Sequence, residues 1–388
     1  MRAGLDSQKV NIQTKIKAVR ALFRWQALEQ QHIKGKLNMH PYPDLEDAQR
    51  VMQSQDALFR PTAFWEKASI KITEELCFEG VENFRRLHTP LSYFVPTYGP
   101  PTLGLSNEQV ERLSKVLGEE YPTSKKSQLA LHAYLSGHLN ALADYRVLLA
   151  ADDPSRLPQL HNFTESNCGN PIEQFEFGGR RFSRSSLNYL LGLCLLKKHL
   201  GSDELRTVLE IGGGFGTLGE ILSQSDIEDI RYIDIDIPPT QFVAERYLAN
   251  VLGESQVASF TRTSDLASIA IDSLPLASVL CSWQIERLQG KVDLFVNFIS
   301  FQEMEPPVVK NYLKHVMRLG TRWILLRNMR EGKQIKTAEK TGVQIPIKHE
   351  DYLNMLPGYE LIESNVHPFG YQTVDGFHSE LLLLRKKA

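Results

Sequence analysis

From Val10 to Leu37 apolar residues recur at near-helical spacing (Ile12, Ile16, Val19, Phe23, Leu28), and KASIKITEELCFEGVENFRRL from Lys67 keeps the same rhythm. The first third of the chain is therefore predicted helical. Proline and glycine in TPLSYFVPTYGPPTLG, residues 89 to 104, break that block. Ser106 with Gln109 then offers a capping-box start for a helix through NEQVERLSKVL. KSQLALHAYLSGHLNALADYRVLLA reads as one further long helix, closing the block near Ala151. The stretch 152 to 183, DDPSRLPQLHNFTESNCGNPIEQFEFGGRRFS, is crowded with Pro, Gly, Asn and Ser and predicts an irregular connection. SSLNYLLGLCLLKKHLG, 185 to 201, ends on two lysines, a histidine and a glycine, the sequence form of a helix C-terminus.

Beyond that point short β-rich runs alternate with helical ones. TVLEIG, IRYIDID, LASVLCS, VDLFVNFIS, TRWILLRN and HSELLLLRK are the strand candidates, with helices near 217–224, 240–252 and 305–319 between them. Such interleaving implies a mostly parallel sheet covered by helices on both faces. The expected organisation is a helical N-terminal domain (1–151), a connecting or lid segment (152–184) and an α/β domain (185–388).

With 388 residues, 42% of them apolar, the chain can bury a sizeable core. A formal charge of -2 supplies no long-range field toward nucleic acid or an anionic membrane surface, so neither is an expected partner. Cys77, Cys168, Cys194 and Cys281 lie far apart, unlike a zinc site or a secreted disulfide framework, and the N-terminus has no apolar signal core. A cytoplasmic location is the expectation.

The candidate chemistry centres on TVLEIGGGFGTLGEIL, Thr207 to Leu222. A strand running into Gly212, Gly213, Gly214 and Gly216 and then into a helix lets the backbone approach a ligand without a Cβ in the way. Gly214, Gly216 and Gly219 also fit the dinucleotide pattern GxGxxG, so the glycines alone suit both NAD and S-adenosylmethionine. Glu210 favours the second, because an acid at the strand end repels a pyrophosphate and tolerates a cationic sulfonium with a free amino group. In the next strand Asp234 and Asp236 share a face, and Asp236, just before Pro238, is placed to chelate a ribose diol. Ser282 and Trp283, after LASVLC, are the adenine-side candidates, with Asp265 as a competing acid; Asn297 ends the following strand on the cofactor side.

These residues together with DLFVNFISFQEM (293–304), LLRNMREGK (325–333), FWEKASIKITEELCFEGVENFRR and GRRFSRSSLNYLLGLCLLKKHL resemble the putative sugar O-methyltransferase family. The likeness covers most of the chain beyond about residue 60. It implies a Rossmann-like class I methyltransferase fold, with a mostly parallel seven-stranded sheet and helices on both faces, preceded by an all-helical domain. It also implies S-adenosylmethionine as cofactor and O-methylation of a sugar in a biosynthetic pathway.

Methyl transfer to a hydroxyl needs alignment of acceptor oxygen and methyl carbon and a group that removes a proton. Glu303 and Gln302, with Ser300, leave the fourth strand at the carboxyl edge of the sheet, and Glu303 is either the base or the partner of a histidine that is. His378 and His367 are preferred over His349 for that part. Tyr189, Arg327, Asn328 and Arg330 are the acceptor-binding candidates, the two arginines suiting an acidic or nucleotide-linked sugar. Arg180, Arg181 and Arg184 with Asn188 form a further polar cluster that reads as a lid. No ligand spacing specifies a metal, although a divalent ion would also serve the chemistry. The rival readings are an N- or C-methyltransferase, an NAD-dependent oxidoreductase using the same glycines, and a non-catalytic binding protein on this fold. The helical domain packs either on its own α/β domain or on a second subunit as a homodimer.

Overall fold

The structure is a computed structural model and describes residues 41–99, 107–120, 124–201, 204–337, 340–373 and 376–387. The periodic run Val10 to Leu37 and the capping residue Ser106 lie outside the described residues. The chain divides into two compact units, Met1–Glu46 and Asp47–Ala388. Within the second unit the residues before 152 form helices Glu66–Glu79, His88–Tyr93, Asn107–Glu120, Lys125–Leu135 and His138–Ala151, with a 3-10 stretch Val81–Arg86. Two of these depart from the sequence expectation. A short helix, His88–Tyr93, overlaps the start of the run read as a break, and the long helix after Lys125 is two helices. They part at Gly137, whose φ of 78° is left-handed; a Cβ there would meet the backbone of Tyr98 and Gly99 within 2.7 Å.

Strands β1 (Phe175–Phe177) and β2 (Arg180–Phe182) form an antiparallel hairpin in the connecting segment. The helix Arg184–Leu200 follows, capped reciprocally: Ser183 Oγ accepts from the Ser186 amide while Ser186 Oγ accepts from the Ser183 amide. Then come β3 (Thr207–Ile211), β4 (Arg231–Asp236), β5 (Val257–Ala258), β6 (Ile269–Ala270), β7 (Ala277–Cys281), β8 (Leu288–Gln289), β9 (Leu294–Phe298), β10 (Trp323–Met329), β11 (Tyr359–Asn365), β12 (Tyr371–Gln372) and β13 (His378–Lys386). The main sheet runs β11-β13-β10-β9-β3-β4-β7-β5, with β12 on the edge of β13. β5, β7, β4, β3, β9 and β10 are parallel, and β13 pairs antiparallel with both β10 and β11. Set aside the two-residue β5 and β12, and seven strands remain, six of one direction and one reversed. This is the α/β Rossmann-like architecture that the motifs imply. β11 was not among the strand candidates: YELIESN is mostly polar and half-exposed, as an edge strand can be, and carries no apolar run to read.

Period-2 alternation sorts the strand residues onto two covered faces. Leu209, Ile211, Ile233, Ile235, Ile324 and Leu326 pack with Val309, Leu313 and Val316 of helix Pro306–Arg318, whose first turn is set by prolines. The opposite face carries Glu210, Tyr232, Asp234 and Leu325 toward helix Arg184–Leu200, where Gly192 lets Phe298 and Leu325 close against the backbone. Both faces being covered, every residue of β3 and β9 is buried.

Candidate functional site

Chain order reverses at β3: β4 and β7 extend the sheet on one side, β9 and β10 on the other. The loops that leave β3 and β9 therefore diverge, opening a crevice at their carboxyl ends, where open α/β sheets take ligands. A cavity of about 350 Å³ lies there. Its floor is Gly212, Gly213, Gly214 and Asp236; its wall is Ser300, Gln302 and Glu303 after β9; its other side is Arg184, Asn188, Tyr189 and Tyr371. Arg60, Thr62, Trp65 and Tyr93 come over it from the helical segment.

The glycines are needed for shape. Gly212 takes φ 70°, and a Cβ there would sit 2.2 Å from Ser300 Oγ. Ser300 reaches under the loop because Ile299, a β-branched residue at φ 74°, turns the chain sharply as β9 ends. Ser300 Oγ then donates to the Ile211 carbonyl at 3.0 Å and Asn297 Nδ2 donates to the same oxygen at 2.8 Å, locking the two loops together. A Cβ on Gly213 would fall 2.7–2.8 Å from Asp234 Oδ1, Glu210 Oε2 and the Tyr232 hydroxyl. Gly213→Val is accordingly expected to displace the loop and remove measurable cofactor binding in calorimetry; a variant that binds normally would show the loop to be compliant.

Three acids lie at and beneath this floor. Glu210 is inaccessible, its carboxylate accepting from the hydroxyls of Tyr189 (2.7 Å) and Tyr232 (2.6 Å). Asp234 is equally buried; Oδ1 accepts from the Gly213 amide at 3.1 Å and Oδ2 has no partner among the described residues. Asp236 accepts from the Ile237 amide at 2.7 Å and faces the cavity. Burial pushes the Glu210 carboxyl up to about 7 against the two tyrosine hydroxyls that lower it. Burial also raises Asp234 well above the usual carboxylate range, helped by the charges of Asp236 and Glu210, and raises Asp236 to about 7 against the amides of Ile237 and Gly214. Three carboxyls with no cation among them make a site that gains by receiving one.

On the β9 side, Glu303 is held at both oxygens, by Lys333 Nζ at 2.8 Å and Trp65 Nε1 at 3.2 Å, while its carbonyl accepts from Thr62. The Gln302 side chain accepts from the Met329 amide at 2.7 Å. Asn297 Oδ1 accepts from Asn328 Nδ2 at 3.2 Å, and Asn328 Oδ1 from the Gln302 amide, so Asn297 and Asn328 brace the loops beneath the cavity lining. Arg184 donates to the Thr97 carbonyl at 2.7 Å and to the Tyr371 hydroxyl at 2.8 Å.

The remaining candidates sit elsewhere. Gly216 caps helix Thr217–Ser223 at φ 90°, outside the lining. Ser282 is buried and donates to the Phe59 carbonyl at 2.6 Å; Trp283 packs edge-on to Phe260 in the core; Asp265 is exposed. Arg327 is buried, donating to the carbonyls of Asn188 (3.1 Å) and Phe369 (2.8 Å), its guanidinium 5.2 Å from the Phe298 ring. Arg330 is spent on Glu380 at 2.8 Å. His349 pairs with the same carboxylate, His378 pairs with Glu331 at 2.5 Å, and His367 is exposed. Arg180 and Arg181 bond the carbonyls of His161 and Glu165 rather than covering the cavity, whereas Arg184, Asn188 and Tyr189 line it. Sequence reasoning assigned no role to Trp65, Tyr93, Lys333 and Tyr371, which reach the cavity from distant parts of the chain; Trp65 and Lys333 lie within the stretches FWEKASIKITEELCFEGVENFRR and LLRNMREGK, whose pattern does not single them out. Among the described residues no three His, Cys, Asp or Glu side chains gather as a metal-ligand set, and no helix is long and apolar enough to cross a membrane.

No protein-family model matches the chain, and no curated protein matches it in sequence. Several solved structures are similar to it. One is magnesium protoporphyrin IX methyltransferase from Synechocystis PCC 6803 with bound S-adenosylhomocysteine, at 15% identity and a TM-score of 0.36, covering 52% of this chain and 83% of that one. Mitomycin 7-O-methyltransferase is 11% identical with a TM-score of 0.34, over 88% of this chain and 76% of that one. A 1,6-didemethyltoxoflavin-N1-methyltransferase from Burkholderia thailandensis is 16% identical with a TM-score of 0.35, over 51% and 77%.

Proposed function

We propose that this chain is an S-adenosylmethionine-dependent methyltransferase acting on a hydroxyl of a sugar or similar polyhydroxylated metabolite. The observation that carries the reading is the acid trio Glu210, Asp234 and Asp236 at and under a glycine floor at the reversal of strand order. A cofactor bearing a sulfonium and an ammonium supplies the positive charge that those carboxyls lack, and its ribose diol finds an acceptor in Asp236. A dinucleotide would instead bring a pyrophosphate over the same carboxyls, which repel it. When bound, the cofactor supplies an electrophilic methyl group; the protein orients the acceptor, excludes water and takes a proton.

For the acceptor, Trp65 and Tyr93 offer apolar ring faces to sugar C–H groups, and Thr62, Ser92 and Gln302 offer polar edges for hydroxyls. Arg60, at the exposed mouth, has room for an anionic substituent. This lining, with the sequence resemblance, is what supports a sugar acceptor.

Calorimetric titration with S-adenosylmethionine, S-adenosylhomocysteine and NAD in parallel tests the cofactor. The first two are expected to bind and NAD to give no heat; binding of NAD alone would overturn the reading. The pH dependence carries its own sign. In the free protein the raised carboxyls hold protons near pH 6, and a bound cation favours their loss, so S-adenosylmethionine affinity should rise between pH 6 and 8. The limit is about tenfold per pH unit for each proton released. Proton release is read from the buffer dependence of the binding heat. The same groups bind more protons in the folded than in the unfolded chain between about 4.3 and about 7. Their contribution to stability is thus largest at low pH and falls as pH rises through that window. Saturating cofactor should flatten the fall.

A further inference from the structure

Glu303 is tied to one side of the cavity, its two oxygens accepting from Lys333 and Trp65. The opposite side of the same cavity holds a different candidate. Tyr371 lines it from the short strand β12, and its hydroxyl oxygen accepts from Arg184 Nη2 at 2.8 Å. The Arg184 guanidinium also lies 5.2 Å from the Tyr371 ring centroid.

We propose that Tyr371 is the catalytic base of the methyl transfer, its oxygen held by a hydrogen bond from Arg184 in the wall of the acceptor cavity. The inference rests on the methyltransferase reading above and adds to it the residue that receives the proton. In the step, the acceptor oxygen forms a bond to the methyl carbon as the carbon–sulfur bond breaks. The bonding pair goes to sulfur, leaving a neutral thioether, and the acceptor proton passes to Tyr371, which enters the step as the tyrosinate and leaves it as the neutral hydroxyl.

The surroundings favour this. Against burial, which raises it, the charges of Arg184 and Arg327 and the hydrogen bond from Arg184 bring the Tyr371 hydroxyl below the ordinary tyrosine value. Arg184 comes from helix Arg184–Leu200, Arg327 from β10 and Ser379 from β13, the elements that pack around it. The acids nearby are turned away: Asp144 accepts from the Tyr98 hydroxyl, and Glu173 from the amides of Tyr98 and Gly99. Arg327 has two buried guanidinium nitrogens, Nε and Nη1, without hydrogen-bond partners among the described residues, so its charge is not cancelled by an ion pair.

Spectrophotometric pH titration of tyrosinate absorbance in the purified full chain, wild type minus Tyr371→Phe, is the test. One tyrosine ionising below about 10, the ordinary value, is expected in the difference. Its midpoint should lie about one pH unit lower in the complex with S-adenosylmethionine than with S-adenosylhomocysteine, since only the first carries the sulfonium charge beside the acceptor position. An ordinary midpoint, or the same midpoint in both complexes, overturns the assignment. Should Tyr371→Phe fail to fold, Arg184→Met replaces it: the low transition must then move upward, and its persistence sinks the proposal. Wild-type protein that binds neither cofactor form refutes the methyltransferase reading itself, whereas normal binding with an unmoved tyrosine refutes only the base.

Discussion

Asp236→Ala is expected to weaken S-adenosylmethionine binding by roughly 10- to 150-fold, the loss of about 1.5–3 kcal/mol that hydrogen bonds to a charged group contribute. Asp236 ends β4, and its carboxylate is the one member of the acid trio that lines the cavity. The Ile237 amide takes one of its oxygens at 2.7 Å and fixes the rotamer. Alanine removes the acceptor while leaving β4, whose pairing with β3 and β7 is made by backbone groups, in register. The fold should therefore survive, which unchanged cooperative unfolding would show, and the deficit should appear equally for S-adenosylhomocysteine, which has the same ribose. Asp236→Asn should fall between, retaining one oxygen acceptor. Calorimetric affinities for alanine and wild type within twofold of each other would remove Asp236 from ribose binding.

Glu210, the glycines, Asp234 and Asp236 were legible because a strand, a turn and a strand end are contiguous in sequence, and the parallel register of β3 with β4 sets Glu210 directly beside Asp234. What stayed hidden is that Glu210 is a buried support clasped by Tyr189 and Tyr232; the hydroxyls come from a separate helix and strand, and no local pattern announces them. Arg327 and Arg330 were misleading for a related reason. They stand at the right edge of the sheet, yet Arg327 lies in the parallel–antiparallel seam between β9 and β13, where carbonyls of Asn188 and Phe369 receive it. Tyr371 lies 187 residues from the arginine that holds it. Long-range partners of this kind are set by the tertiary fold, and periodicity carries no information about them.

The largest stability effect should come from Arg85, which binds the helical segment to the α/β core. Its guanidinium donates to Glu165 at 3.0 Å and to the carbonyls of Ser166 and Cys168, and lies 5.0 Å from the ring of Phe215 in the glycine loop. Both charged groups are almost wholly buried, at 1% and 0% exposure. Burial opposes the charge on Arg85, but Glu165, Tyr247 and Glu220 outweigh it and hold the guanidinium protonated. Arg85→Met would leave Glu165 with only the Ser183 hydroxyl and the Gln174 amide, facing Glu220, whose carboxyl its charge already raises. Removing one partner of a buried pair costs roughly 3–5 kcal/mol, because the other charge stays desolvated. Tm should fall by about 4–7 °C for a chain of this length. If the loss is the stranded carboxylate rather than lost packing, Arg85→Met/Glu165→Gln should recover a good part of it, and the double-variant cycle measures that coupling. A single-variant loss below about 1 kcal/mol would mean that water reaches Glu165 when the guanidinium leaves, and that the helical segment is held instead by its ring contacts: Phe84 packs against Phe94, Phe215 and Tyr247.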